Sequence, residues 1–149
     1  MQTAPHRTQA HGIYVASRAS IPARSEMWRA LRAQGCPIVS TWIDEAGEGQ
    51  TASFPELWER IEREIDACVS LVLYVEPDDF PLKGALIEVG MALGRGKPVA
   101  VVLGRGLVLA PRSSRPLGSW VAHPLCSLHD TIEGALQHIM QHRTKLDNA

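Results

Sequence analysis

An acid within an apolar helical pattern is the feature of this sequence that most directly suggests chemistry. Glu88 is the only carboxylate within residues 83–93. Ala85, Val89 and Ala92 recur around it at helical spacing and predict a helix with one face in a core. A carboxylate about one turn into a helix lies near the positive end of the helix dipole, so we expect its ionised, nucleophilic form to be favoured. Glu88 is therefore the first candidate catalytic residue, and the alternative is a solvated surface glutamate.

Alternating apolar runs and amphipathic segments predict the elements that would position this acid. Strands are predicted at residues 12–17, 36–40, 69–75 and 97–103, with a short fifth strand at Trp120 and Val121. Helices are predicted at residues 22–34, 54–68, 83–93 and 128–142, the second of them capped by Ser53 with Glu56 three residues later. This alternation predicts an α/β fold, a doubly wound (Rossmann/flavodoxin-like) parallel sheet of about five strands with helices on both faces. We expect a single domain over residues 11–143, a flexible N-terminal tail at 1–10 and a C-terminal tail at 144–149.

In such a sheet, ligands bind in the crevice outside the carboxyl ends of the strands. Polar and aromatic residues follow three of the predicted strands, so we expect them to collect at that edge. They are Tyr14, Ser17 and Arg18 at the first strand, Trp42 and Asp44 after the second, and Asp78 and Asp79 after the third. Glu88 would enter the same crevice from its helix.

Composition excludes several classes of function. The chain has 149 residues, 45% of them hydrophobic, and a net charge of -1, so we expect neither a nucleic-acid nor a membrane partner. Its three cysteines are odd in number and far apart, which predicts buried thiols rather than disulfides and, with the absence of an apolar signal region, a cytoplasmic protein. The histidines and cysteines lack the spacing of metal ligands, so no metal site is predicted.

Three motifs, in this order and on this predicted frame, resemble the nucleoside 2-deoxyribosyltransferase-like family, which includes nucleotide N-glycoside hydrolases. They are IYVAS at residues 13–17, STWID at 40–44 and GALIEVGMA at 84–92, and the resemblance covers roughly residues 12 to 103. It implies that Glu88 attacks the anomeric carbon of a nucleoside or nucleotide and that Tyr14 orients Glu88. It also implies a small-molecule substrate, no cofactor and a homodimer or higher homo-oligomer.

The chemistry of N-glycosidic cleavage suggests roles for the other residues. A carboxylate facing the sugar can stabilise the oxocarbenium-like transition state and then capture the sugar covalently. The leaving base needs a proton, and Asp79, with Asp44 and Asp78 as alternatives, is the candidate donor. Substrate binding is predicted for Ser17 and Arg18 toward a phosphate or sugar hydroxyls, for Trp42 by stacking on the base, and for Asp44, Asp78 and Gly84. The family usually has an aspartate two residues before the glycine that matches Gly84, whereas this chain has Leu82.

Two other functions are compatible with the same residues. One is an NAD glycohydrolase like those of Toll/interleukin-receptor-like domains, which also use a glutamate on a helix of a related parallel fold. The other is a non-catalytic nucleotide-binding or sensing module, which the absence of an aspartate at Leu82 favours. The first predicts release of nicotinamide from NAD, and the second predicts binding without a product.

Overall fold

A computed structural model of the chain describes residues 10–45 and 53–147. Four parallel strands form one sheet in the order β1-β2-β3-β4: β1 (Ile13–Ala16), β2 (Ser70–Val75), β3 (Val99–Leu103) and β4 (Cys126–His129). Four helices connect and follow them: α1 (Pro22–Ala33), α2 (Phe54–Ala67), α3 (Gly84–Gly94) and α4 (Ile132–Asp147). The predicted α/β fold with a parallel sheet is confirmed. None of the described helices is both long and apolar enough to cross a membrane.

Two tyrosines show that helices cover both faces of the sheet. Tyr14 on β1 lies beside Leu71 on β2, and its hydroxyl reaches Glu88 on α3. Tyr74 lies three residues beyond Leu71, on the opposite face because side chains alternate along a strand. Its ring meets Trp28 of α1 edge to face, with the centroids 6.4 Å apart. Helix α3, with α2 packed against it, therefore covers one face, and α1 covers the other.

The central strands are apolar because both of their faces are covered. Every residue of β2 except Tyr74 is buried, and so are Val99 to Val102 of β3. This agrees with the prediction that the run at residues 69–75 forms the centre of the sheet. Burial of these apolar side chains at about 25 cal/mol per Å2 is the main term that stabilises the fold.

The predicted second strand at residues 36–40 is wrong. This segment makes only one bridge, between Ile38 and Ile13, on the outer side of β1. The ladder ends there because the Ser40 side chain, rather than a backbone carbonyl, accepts the hydrogen bond from the Val15 N–H, at 3.0 Å. Pro37 also has no N–H to donate. Residues 36–40 are therefore not one of the four strands of the sheet, for which about five were predicted.

The C-terminal part of the chain differs from the prediction in two further places. Trp120 and Val121 lie in a 3-10 turn at Ser119–Ala122, in which the Trp120 indole donates to the Leu117 carbonyl at 3.0 Å. The edge strand β4 follows it, and the last helix starts at Ile132 rather than at Leu128, which belongs to β4. That helix also continues to Asp147, past the predicted domain end at residue 143. The N-terminal tail predicted at 1–10 lies, apart from Ala10, outside the described residues.

Candidate active site

A cleft of about 600 Å3 opens at the carboxyl edge of the sheet, on the face that α2 and α3 cover. The loop after β1, the turn at Trp42, helix α2 and the start of α3 supply its walls. Of the residues predicted from the sequence, five line it: Ser17, Arg18, Trp42, Gly84 and Glu88. The parallel topology thus brings together residues that are up to 71 positions apart in the chain, from Ser17 to Glu88.

Glu88 and Tyr14 form a buried pair at this cleft. Glu88 is 8% exposed, Tyr14 is fully buried beneath it, and the Tyr14 hydroxyl donates a hydrogen bond to Glu88 Oε1. The neighbouring positions on α3, Ala85, Val89 and Ala92, are buried as the helical pattern predicted. Glu88 can therefore present a carboxylate oxygen to a ligand while Tyr14 fixes its orientation.

The ionisation of Glu88 differs from the expectation that the helix dipole favours its anion. Burial raises the pKa of Glu88 to about 7, the hydrogen bond from Tyr14 lowers it in part, and the charge of Glu64 raises it. Glu88 lies in the second turn of α3, and the effect of the dipole falls off within the first turn. Loss of hydration therefore outweighs the dipole. Burial, together with the adjacent Glu88 carboxylate, also raises the pKa of Tyr14 well above its usual value, so Tyr14 stays a hydrogen-bond donor at neutral pH.

The loop after β1 supplies the polar side of the cleft. Ser17 is buried and its Oγ accepts a hydrogen bond from the Trp28 indole at 3.0 Å. Arg18 donates through Nε to Ser20 Oγ at 3.3 Å, and its Nη1 lies 3.4 Å from the carbonyl oxygens of Asp78 and Phe80. This loop therefore offers hydroxyl and guanidinium groups that suit sugar hydroxyls or a phosphate.

Aromatic and aliphatic side chains form the other side of the cleft. Trp42 is 9% exposed, and its indole is fixed by a hydrogen bond to the Val15 carbonyl at 2.7 Å. Phe54, Leu57 and Trp58 of α2 line the same space. Flat apolar walls of this kind suit a planar heterocycle.

The three predicted aspartates do not line this cleft. Asp79 is fully buried and bonds to Arg24 Nη2 and Nε at 2.8 and 3.3 Å, while its Oδ2 also accepts from the Glu76 backbone N–H at 2.8 Å. Asp78 is exposed. Asp44 forms a bidentate ion pair with Arg32, with distances of 2.6 and 2.8 Å, on the surface. The structure thus separates Glu88 from the acids predicted to assist it.

Sequence reasoning missed several residues of the cleft. Glu45 lines it and pairs with Arg60 at 2.5 Å, and Lys83 and Trp58 also line it. Trp58 lies within the apolar stripe of α2, which sequence reasoning assigned to the core. An apolar stripe in the sequence does not show which of its residues face a cavity. No signal in the sequence identified Glu45 or Lys83.

No set of three His, Cys, Asp or Glu side chains in the described parts of the chain comes together in a way that could hold a metal ion. The side chains that line the cleft carry carboxyl, hydroxyl, guanidinium, ammonium and indole groups.

Solved structures with the same architecture include a 2-desoxiribosyltransferase from Leishmania mexicana. It has a TM-score of 0.61 and 20% sequence identity, over 89% of this chain and 98% of that chain. This chain has the same fold. The fold implied by the sequence resemblance is thereby confirmed. The CMP N-glycosidase BcmB from Clostridium botulinum is 13% identical, with a TM-score of 0.49 over 87% of this chain and 98% of that chain. No protein-family model matches the sequence, and neither does any curated protein.

Proposed function

We propose that the protein belongs to the nucleoside 2-deoxyribosyltransferase-like family and cleaves or transfers the N-glycosidic bond of a (deoxy)ribonucleoside or nucleoside 5′-monophosphate. The observation that carries the proposal is the buried Tyr14–Glu88 pair at a cleft with one aromatic side and one polar side. A shared fold alone does not define a function, whereas the chemistry of these side chains can.

In the proposed reaction, a carboxylate oxygen of Glu88 attacks the anomeric carbon as the bond from that carbon to the base nitrogen breaks. The negative charge of Glu88 stabilises the oxocarbenium-like transition state, and a covalent glycosyl-enzyme intermediate forms. Water, or a second base, then attacks the same carbon and releases Glu88. Tyr14 holds the carboxylate in place by donating its hydrogen bond.

The leaving base takes a proton as it departs. The acids that sequence analysis proposed for this step do not line the cleft, and Glu45, which does, is paired with Arg60. In this proposal the proton therefore comes from water in the cleft rather than from Asp79.

The remaining residues of the cleft supply binding. The base lies against Trp42 and Trp58, and the sugar with any 5′-phosphate lies toward Ser17 and Arg18. The first residue of α3, Gly84, borders the cleft where a side chain would approach Trp58: a Cβ atom there would lie 3.9 Å from the Trp58 ring.

The test is base release from a panel of ribo- and deoxyribonucleosides, their monophosphates and NAD, with and without an added free base. Wild type, Glu88→Gln and the exposed-site control Glu59→Gln are compared by chromatography. We expect release by wild type and by Glu59→Gln, and a loss of at least about 1,000-fold in Glu88→Gln because the nucleophile is removed.

Each alternative gives a different pattern in the same panel. Nicotinamide released from NAD alone would favour an NAD glycohydrolase. Saturable binding with no product from any compound would favour a binding module. Undiminished turnover by Glu88→Gln would contradict the role of Glu88.

A further inference from the structure

Glu64 on α2 contacts the residue before Trp42, and its charge acts on the Tyr14–Glu88 pair, although Glu64 does not line the cleft itself. Its Oε1 accepts hydrogen bonds from the Thr41 backbone N–H at 2.8 Å and from Thr41 Oγ1 at 2.9 Å, and Thr41 Oγ1 lies 3.0 Å from Oε2. A carboxylate that receives both donors of one residue fixes that residue more firmly than a single bond does. Glu64 therefore ties the loop before Trp42 to helix α2.

The residue next to Thr41 is Trp42, which forms part of the cleft wall. Trp42 begins a 3-10 turn in which no side chain of residue 41 caps the helix end. The indole of Trp42 is fixed at its far end by the Val15 carbonyl, directly after Tyr14 in β1. The Glu64–Thr41 contact thus fixes the main chain of Trp42, and the Val15 contact fixes its ring.

The charge of Glu64 also acts on the reactive pair. It raises the pKa of Glu88 and that of Tyr14, because an anion nearby disfavours a second anion. Two cations of α2, Arg60 and Arg63, oppose the charge of Glu64. Arg60 lowers the pKa of Tyr14. Burial raises the pKa of Glu64, and the charges of Arg60 and Arg63 lower it in part. Arg60 also pairs with Glu45 at the cleft.

We propose that Glu64 is a positioning residue that holds the Thr41–Trp42 segment against the cleft and whose negative charge acts on the Tyr14–Glu88 pair. The catalytic part of this inference rests on the function proposed above, whereas the structural and electrostatic parts do not. Glu64 has two separable effects: its hydrogen bonds hold the segment that carries Trp42, and its charge adds to the effect of burial in raising the pH at which Glu88 ionises.

Three variants separate these effects. Glu64→Gln keeps a carbonyl oxygen for the Thr41 N–H but removes the charge. Glu64→Ala removes both, and Thr41→Val removes only the hydroxyl. Glu59→Gln, on the exposed side of the same helix, is the matched control for charge.

In Glu64→Gln we expect the KM to stay within about 2-fold of wild type, since the tether remains. The rising limb of kcat/KM against pH should move to lower pH, because loss of the anion lowers the pKa of Glu88, so that relative activity at about pH 6 rises about 2- to 5-fold. In Glu64→Ala the KM should rise about 3- to 10-fold, and in Thr41→Val about 2-fold, through loss of hydrogen bonds that fix Trp42. Glu59→Gln should leave both quantities unchanged.

A readout that needs no turnover distinguishes failure of this inference from failure of the proposed function. Carbon-13 NMR of glutamate carboxyl groups, with the Glu88 signal assigned by its loss in Glu88→Gln, follows the titration of Glu88 directly. We expect the midpoint to move to lower pH in Glu64→Gln and in Glu64→Ala, but not in Glu59→Gln. An unchanged midpoint of the Glu88 titration in both Glu64 variants would overturn the inference, whatever the substrate is. If the wild type is active, an unchanged KM in Glu64→Ala would overturn it as well.

Discussion

Two clusters of buried carboxyl groups lie near the carboxyl edge of the sheet, and they handle charge in opposite ways. In the first, Asp79 is fully buried and bonds to Arg24 of α1, which also reaches Glu76. In the second, Glu88 is buried beside the hydroxyl of Tyr14, and the charge of Glu64, which also acts on it, is negative. The first cluster pairs each carboxylate with a cation, whereas none of the described residues pairs Glu88 with a cation.

We interpret the first cluster as structural and, under the function proposed above, the second as reactive. A paired and hydrogen-bonded carboxylate has its lone pairs engaged and is a poor nucleophile. A carboxylate held only by a neutral donor keeps an oxygen available, and its pKa of about 7 brings its ionisation into the physiological range. The comparison shows that a buried acid near the ligand-binding edge of a sheet can be assigned a role only after its ion-pair and hydrogen-bond partners are known.

The largest expected effect on stability is in the paired cluster. Asp79→Ala should lower the free energy of unfolding by about 3 to 5 kcal/mol, because it leaves Arg24 buried beside fewer partners. Asp44→Ala is the matched control, since Asp44 makes a similar bidentate pair with Arg32 on the surface, where the cost should be at most about 1 kcal/mol. Urea denaturation at neutral pH measures both. Equal costs for the two variants would contradict the contrast drawn here.

The next effect has the opposite sign and concerns Glu88. Because its pKa is raised from 4.5 to about 7 in the folded state, the folded protein binds more protons than the unfolded chain between these values, and its stability falls as the pH rises through this window. Glu88→Gln removes that dependence. Its stability relative to wild type should therefore increase by about 2 to 3 kcal/mol between about pH 4.5 and about pH 8.

Denaturation of wild type, Glu88→Gln and Glu59→Gln across this pH range measures the effect, and Glu59→Gln should follow wild type. A constant difference between Glu88→Gln and wild type would mean that Glu88 ionises in the folded protein as it does in water.

The smallest of the three effects separates the two tyrosines. Tyr14→Phe removes the donor that lowers the pKa of Glu88, so the rising limb of the rate against pH should move to higher pH and kcat/KM at pH 7 should fall about 10-fold. Tyr74→Phe is the matched control on the other face, where the hydroxyl donates to Glu76 Oε1 at 3.0 Å. Kinetics of both variants as a function of pH measure the difference. An identical pH profile for Tyr14→Phe and Tyr74→Phe would contradict it.

Much of this site could be predicted from sequence because its parts carry local signals. Glu88 stands out as one acid within an apolar helical pattern, and Tyr14 lies in an apolar strand that the parallel topology aligns with the edge. Asp79 carries a similar local signal, because it lies four residues after the end of the buried strand β2 and two residues after Pro77. Its partner Arg24 is 55 positions away, and only the fold shows that the two meet.

The errors in the fold have a similar origin. The segment at residues 36–40 has the composition of a strand, but a side chain of Ser40 replaces the backbone partner of Val15. The strand β4 has the sequence CSLH, without an apolar run, because it lies at the edge of the sheet and is only half buried. Whether each of these segments forms a strand depends on backbone pairing with a segment distant in the sequence, which composition does not encode.

The central claim is that Glu88 becomes covalently attached to the sugar. The most direct measurement is mass spectrometry of the intact protein after reaction with a nucleoside or nucleotide that carries fluorine at C2 of the sugar, which slows both steps by withdrawing electrons from the oxocarbenium-like centre. We expect the mass of one sugar to be added to wild type, to map to the peptide that contains Glu88, and to be absent from Glu88→Gln. Turnover of the unmodified substrate with no adduct, or an adduct on another residue, would contradict the account.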